Sequence, residues 1–245
     1  MKVQYFDLKD KRALVSGGAS GIGASIVEHL CEQGVEVYFF DIDKKEAQKL
    51  ISKIKKKKQK IPTFQFCNIK NIKKYTTLIQ NIIKKKGAID ILVKNASNGQ
   101  RHTLEEVTEK YWDEYFSMIA RCLNETSKAV IQTILIKDDK FEKYRKGVDF
   151  IQVYIFPGGM LPTRKILKAL ANRHYLKIQD EFYFSKDYAE TLKRWAANFE
   201  ECNDKFNALG LNDEFKRMWQ FYLNYCRSGF ETGDIDVGQF VLAKI

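Results

Sequence analysis

Short apolar runs alternate with longer segments whose apolar residues recur every three or four positions through the first half of the chain, the rhythm of parallel strands joined by surface helices. Lys11-Arg12-Ala13-Leu14-Val15 predicts a first strand. It runs into Ser16-Gly17-Gly18-Ala19-Ser20-Gly21-Ile22-Gly23 and a helix through Ala24 to Gln33, which Gly34 ends. Val35 to Phe40 predicts a second buried strand terminating at Asp41. A lysine-rich helix over Lys44 to Lys58 follows, then a strand over Thr63 to Cys67 with Asn68 at its end, a helix from Ile72 to Lys86, and a strand from Ile89 to Val93 leading into Lys94-Asn95-Ala96-Ser97.

The rhythm changes at residues 108–123. Thr108 is a candidate N-cap, acids crowd the first turn, and Tyr111, Tyr115, Met118, Ile119 and Cys122 recur at helical spacing, so an amphipathic helix forms a seam between two differently patterned halves. Beyond it, Lys128 to Ile136 predicts a buried strand interrupted by Gln132, and Asp138 to Arg145 a helix. A loop over Asp149 to Thr163 contains Pro157 and Pro162. A helix through Asn172, a strand over Tyr175 to Phe184, helices over Asp187 to Leu209 and Asp213 to Ser228, and a closing strand over Asp236 to Lys244 complete the chain. Trp195, Phe199, Phe206, Phe215, Trp219, Tyr222 and Tyr225 give these last helices an aromatic density that suits a core, or the wall of a channel for something long and apolar.

Composition narrows the class. With 44% hydrophobic residues among 245, the chain can bury a real core. No apolar run reaches the roughly 18 residues of a membrane span, and Met1 to Lys11 lacks the apolar centre of a signal peptide, so the expected location is cytoplasmic. Five scattered cysteines and the three histidines His29, His102 and His174 form no disulfide framework and no metal pattern. The net charge of +11 arises in the first half: residues 1–112 carry 22 Lys or Arg against 12 acids, residues 113–245 carry 20 against 19. Lys53 to Lys60 and Lys70 to Lys86 read as solvated helix faces. The other reading they leave open is an approach to anionic lipid, peripheral at the inner membrane face; a nucleic-acid partner is not expected.

The chemistry of the first half lies in its glycine turn. A strand, a glycine-rich turn and a helix in this order let the backbone approach a pyrophosphate, which the helix N-terminus receives on unpaired N–H groups at its positive end. Asp41, ending the next strand, is placed to bind adenine ribose hydroxyls and so favours NAD over its 2′-phosphorylated form; the bland alternative is an acid that caps the following helix. The half from about Leu8 to Trp112 resembles the short-chain dehydrogenase/reductase family. Ser16 to Gly23 matches that family's TGxxxGIG loop with Ser for Thr, and Lys94-Asn95-Ala96-Ser97 its NNAG motif with two positions changed. The resemblance implies that Ser16, Gly17, Ser20, Gly21, Ile22, Gly23, Asp41, Asn68 and Asn95 line a dinucleotide site, Asn68 standing where the family usually has Asp. The family's catalytic tyrosine and lysine do not follow: the chain's Tyr-x-x-x-Lys is Tyr5 to Lys9, ahead of the first strand, and Ile119 stands where an asparagine is expected.

Residues from about 110 to 245 resemble the C-terminal part of cyclopropane-fatty-acyl-phospholipid synthases, S-adenosylmethionine-dependent methyltransferases that add a methylene bridge across a lipid's double bond. Tyr111 to Thr133, Phe141 to Thr163 with its YIFPGGMLP core, Asp187 to Leu192, and Arg217 to Cys226 through Gln239 to Leu242 carry the match. The resemblance implies phospholipid acyl chains as substrate and a bicarbonate-holding pocket formed by Glu105, Gln132, Ile134, Tyr188 and Cys226. Glu105 also reads as a first-turn helix acid, and Cys226 as a small core residue between aromatics. The family's methyl-donor loop is not matched; its place is taken by Ser16 to Gly23, whose letters are those of a dinucleotide loop.

The expected fold class is α/β, a Rossmann-like doubly wound, mostly parallel sheet of about seven strands in order 3-2-1-4-5 with a C-terminal methyltransferase-type pair. Residues 1–112 and 113–245 form its halves within one continuous domain, and the ligand crevice lies at the C-terminal ends of the first and fourth strands. The expected function is a cyclopropane synthase-like lipid-modifying protein with weak or lost activity. A nicotinamide-binding oxidoreductase acting on a small-molecule substrate and a catalytically silent fusion product are the alternatives.

Overall fold

The computed structural model describes residues 3–96 and 109–245, with the backbone alone at 109–111, 203, 204 and 207. The chain falls into two compact units, Met1–Gln100 and Arg101–Ile245.

In the first unit β1 (Arg12–Ser16), α1 (Gly21–Glu32), β2 (Glu36–Asp41), α2 (Lys44–Lys56), β3 (Thr63–Phe66), α3 (Ile72–Lys86) and β4 (Ile91–Lys94) follow one another. The strands are all parallel, in the order β3-β2-β1-β4. Side chains alternate across the pleat. Ala13 and Val15 of β1 and Val37 and Phe39 of β2 therefore pack under α1 and α2, while Leu14, Tyr38 and Phe40 pack on the other face against Tyr75, Leu78 and Ile82 of α3. This two-sided burial is why β1 and β2 read as continuous apolar runs. Asp43 caps α2 and Asn71 caps α3, each accepting from a backbone N–H three residues on. Arg12 pins the opposite end of the sheet, donating to Glu36 at 3.1 Å and to the Ala88 carbonyl at 2.7 Å.

The second unit comprises α4 (Glu109–Cys122), β5 (Lys128–Ile136), α5 (Asp138–Lys146), α6 (Arg164–Arg173), β6 (Leu176–Tyr183), α7 (Ser185–Glu201), α8 (Asn203–Ala208), α9 (Asp213–Glu231) and β7 (Ile235–Lys244). Its sheet is antiparallel in the order β5-β7-β6. Leu135, Leu176, Phe240 and Leu242 face Phe116 and Ile119 of α4 and Leu167 and Leu170 of α6. The other face carries Ile134 and Val237 against α7 and α9.

The α/β class and the doubly wound parallel sheet agree with expectation. Three details differ. The seven described strands are hydrogen-bonded as sheets of four and three, because β5 takes its partner from β7 across the whole second unit. The helix expected over Asp187 to Leu209 ends at Cys202 and restarts as α8. The expected loop over Asp149 to Thr163 contains a π-helical turn, Ile151–Ile155, in which Asp149 and the buried Gln152 exchange side-chain to backbone hydrogen bonds at 2.9 and 3.0 Å.

Candidate functional site

The glycine turn leaves the C-terminal end of β1 and is tied to both neighbouring strands. Gly17 N donates to the Phe40 carbonyl at 2.8 Å. The buried Ser16 hydroxyl donates to the Val93 carbonyl at 3.3 Å and accepts from the N–H groups of Asn95 and Ala96 at 3.1 and 3.2 Å. Asn95 Nδ2 closes the ring on the Gly17 carbonyl at 2.9 Å. The Ser that replaces the family's Thr is therefore the post to which the segment after β4 is fastened. Its neighbours Asn95 and Ala96 are the last residues described there.

Two glycines have distinct tasks. A Cβ at Gly23 would collide with the Gly17 carbonyl oxygen and lie 2.6 Å from Asn95 Nδ2, so only glycine lets α1 sit this close to the turn. Gly21 opens α1 at φ +55°, and a Cβ there would meet nothing within 4 Å. That open side is where a ligand can reach the backbone. The Ser20 side chain makes no capping hydrogen bond, so α1, unlike α2 and α3, presents first-turn N–H groups without a side-chain cap. Ile22 stands exposed in the same turn.

Asp41 sits beside this turn at the tip of β2. Its Oδ2 accepts from Ala19 N at 2.9 Å and its Oδ1 from Ile42 and Asp43 N at 2.7 and 3.0 Å. The carboxylate thus braces the turn from the side, an engagement that its sequence position did not reveal. It does not cap α2; Asp43 does. Asn68 accepts from Lys70 N at 3.0 Å in the turn after β3. Tyr5 and Lys9 lie at the far end: Tyr5 N donates to Gln33 Oε1 at 2.8 Å, beyond the C-terminus of α1, about 18 Å of helix away from the turn.

In the second unit Ile134, Tyr188 and Cys226 pack on one buried cluster that includes Ala189, Leu192, Leu223 and Phe230. The Tyr188 and Phe230 rings lie 5.0 Å apart. Burial pushes the Cys226 thiol up to about 11, with the Asp149 carboxylate adding to the rise. Gln132 points from the same face of β5 as Ile134 but is exposed and pairs with Gln239 Nε2 at 3.0 Å across the β5–β7 ladder. Glu105 and Ser97 lie outside the described residues. Tyr222, one of the aromatic residues expected to build a core or a channel wall, packs on the same cluster. Burial drives its phenol up to about 12, with Cys226 and Tyr188 contributing; its position four residues before Cys226 on α9 is the signal that marks it as that thiol's neighbour.

The comparisons with known proteins divide along the same line. The tuberculostearic acid methyltransferase UfaA1 of Mycobacterium tuberculosis is 33% identical over 142 residues, 58% of this chain and 33% of that protein. The cyclopropane-fatty-acyl-phospholipid synthase of Escherichia coli is 32% identical over 145 residues, 57% and 35% respectively. The probable galactose dehydrogenase GalD of Rhizobium meliloti is 37% identical over 120 residues, 49% and 47%. The chain thus spans about a third to a half of the length of these relatives. In fold it is similar to the mycolic acid cyclopropane synthase CmaA1 complexed with SAH and CTAB, with a TM-score of 0.59 at 22% identity over 98% of this chain and 80% of that one. The cyclopropane synthase MmaA2 from Mycobacterium tuberculosis gives 0.62 at 19% identity with the same coverage. The short chain dehydrogenase family model matches residues 11–141 and the mycolic acid cyclopropane synthetase model residues 99–240, so the chain belongs to both families, which share residues 99–141.

Proposed function

We propose that the protein binds an adenosine-bearing cofactor, NAD in the first place, on the Ser16 to Gly23 turn, and that its second unit is a cyclopropane synthase-type lipid site whose methylene transfer is weak or lost. The observation that carries this reading is the division of labour between Gly21 and Gly23. Tight closure at Gly23 and an open backbone at Gly21 are what a pyrophosphate needs in order to reach the N–H groups of α1. S-adenosylmethionine has no pyrophosphate and would leave those groups unanswered. Asp41, braced by three backbone N–H groups, is held where ribose hydroxyls can donate to it, and its charge opposes a 2′-phosphate.

In the lipid unit Tyr188, Ile134 and Cys226, with Gln132 nearby on β5 and Glu105 from the preceding segment, are the residues assigned to the acyl-chain and bicarbonate pocket. The aromatic wall suits an acyl chain. Burial, with the Asp149 carboxylate adding to it, keeps the Cys226 thiol neutral beside that pocket. The setting that goes with this reading is cytoplasmic, at the inner membrane face. An NAD-dependent oxidoreductase is the second reading. It is favoured by the turn and disfavoured by the remoteness of Tyr5 and Lys9.

Calorimetric titration with NAD⁺ and, separately, S-adenosylmethionine tests the cofactor. We expect NAD⁺ to bind, the methyl donor to bind at least about tenfold more weakly, and Asp41→Ala to reduce NAD⁺ affinity about tenfold by removing a charged hydrogen-bond acceptor. Methyl-donor binding with NAD⁺ silent would reassign the turn, and silence toward both would leave a fusion product that only folds. Methylene transfer to phospholipid in the presence of S-adenosylmethionine is expected to be barely detectable; full synthase turnover would overturn the loss.

A further inference from the structure

Residues 44–86 hold fifteen lysines and a single acid, Glu46. At one end of the first unit these lysines have structural partners: Lys53 pairs with Glu28 of α1 at 2.7 Å, Lys57 pairs with the same carboxylate, and Lys60 reaches Asp10 at 3.4 Å. At the other end, where α2 and α3 begin, Lys44, Lys45, Lys70, Lys73 and Lys74 make no ion pair among the described residues. Their placement runs against local physics. Lys44 and Lys45 are the first two residues of α2, and Lys73 and Lys74 the second and third of α3, so four cations face the positive ends of two helix dipoles; the first turn of α3 holds no acid to offset them. Asp43 and Glu46 offset part of this charge at α2, whereas α3 has no such acid, and a local rule broken in this way marks a candidate functional surface.

Exposed apolar side chains stand among these lysines. Ile42 is 62% exposed, Ile72 68% and Phe66 43%. The β2–β3 register sets Phe66 opposite Asp41, next to Ile42, and the ammonium groups of Lys44 and Lys74 lie 4.6 and 5.2 Å from the centre of the Phe66 ring. One ring therefore gathers the starts of both helices into a single rim at the C-terminal ends of β2 and β3.

We propose that this rim docks the protein on an anionic phospholipid bilayer. Ile42, Phe66 and Ile72 enter the interface, and the lysine stems lie along them with their ammonium groups among the lipid phosphates. The surface deepens the lipid reading of the second unit and turns the nucleotide-turn end of the first unit toward the membrane. Nucleic acid fits less well: a base would need a bare ring face, whereas Phe66 already carries two ammonium groups, and isoleucine offers no stacking surface.

The test is cosedimentation of the full chain with phosphatidylcholine vesicles, with and without phosphatidylglycerol. We expect binding to the anionic vesicles alone, weakening as salt rises. Lys44→Glu/Lys74→Glu should lower partitioning at least tenfold, since each lysine near the surface contributes about fivefold. Ile42→Ser/Ile72→Ser should remove the part of the binding that resists salt. Lys85→Glu/Lys86→Glu, which changes net charge equally at the opposite end of α3, should shift binding less than about twofold. Melting curves and NAD⁺ titration of each variant separate misfolding from lost docking. Equal loss in the Lys85/Lys86 variant, no vesicle binding, or displacement from vesicles by an oligonucleotide at equimolar charge would each overturn the proposal. The lipid-site reading fails separately, if detergent-dispersed phospholipid, which needs no docking surface, does not slow the alkylation of Cys226.

Discussion

The turn after β1 and the cluster around Cys226 are the two chemical regions of the molecule, and they are built on opposite principles. The first is a backbone device: the groups it leaves open are peptide N–H donors at the start of α1, and its side chains, Ser16, Asp41 and Asn95, mostly hold the backbone in place. The second is a side-chain device, an apolar cluster with a thiol, Cys226, and a phenol, Tyr222, whose ionisation burial suppresses. A backbone device is specific to shape and tolerates little change at its glycines. A side-chain device tolerates volume-conserving changes but responds to solvent and pH.

The sharpest way to test that contrast is at the glycines. Gly23→Ala forces a Cβ into the Gly17 carbonyl and is expected to destabilise the protein by about 3 kcal/mol or more, read as a fall in denaturation midpoint. Gly21→Ala meets no atoms and should cost only about 1 kcal/mol for its left-handed backbone while weakening NAD⁺ binding more than it weakens the fold. If the two variants behave alike, the division of labour within the turn is wrong. In the second unit Phe240→Ala, fully buried beneath α4 and α6, should cost about 3–5 kcal/mol with NAD⁺ affinity unchanged in the fraction that remains folded.

The smallest effect concerns pH. The folded-state pKa of Cys226 lies above the ordinary thiol value of about 8.5, so the neutral thiol's contribution to stability is complete below that value and is lost as pH rises through about 11. Chemical denaturation across this window should show a fall that Cys226→Ala reduces, while alkylation of Cys226 in the folded protein should trail that of the exposed Cys122. Equal alkylation rates at both would remove the buried-thiol account.

The sequence disclosed what is local. Lys128 to Ile136 was readable as a strand to the residue, and the order strand, turn, helix around Ser16 to Gly23 followed from glycine chemistry. What it could not disclose depends on distant partners. β5 pairs with β7 more than a hundred residues away along part of the ladder, and no periodicity in Lys128 to Ile136 announces that partner. The bracing of the turn by Asp41 arises because β1 and β2 end side by side, and Lys44 and Lys74 meet over Phe66 only after two helices have packed on opposite faces of one sheet. The break at Cys202 interrupts a segment of continuous helical spacing, and the π-helical turn at Ile151–Ile155 forms inside a segment whose prolines mark it as a loop.

The way the two sheets draw on the chain bears on heredity. Every described strand pairing lies within residues 12–94 or within 128–244, so a genetic crossover between these stretches separates no strand from its partner. Phe116 and Ile119 tie α4 to the second core, so a crossover ahead of that helix also keeps it with the residues it packs against. Halves exchanged there would each remain an intact hydrogen-bonding unit.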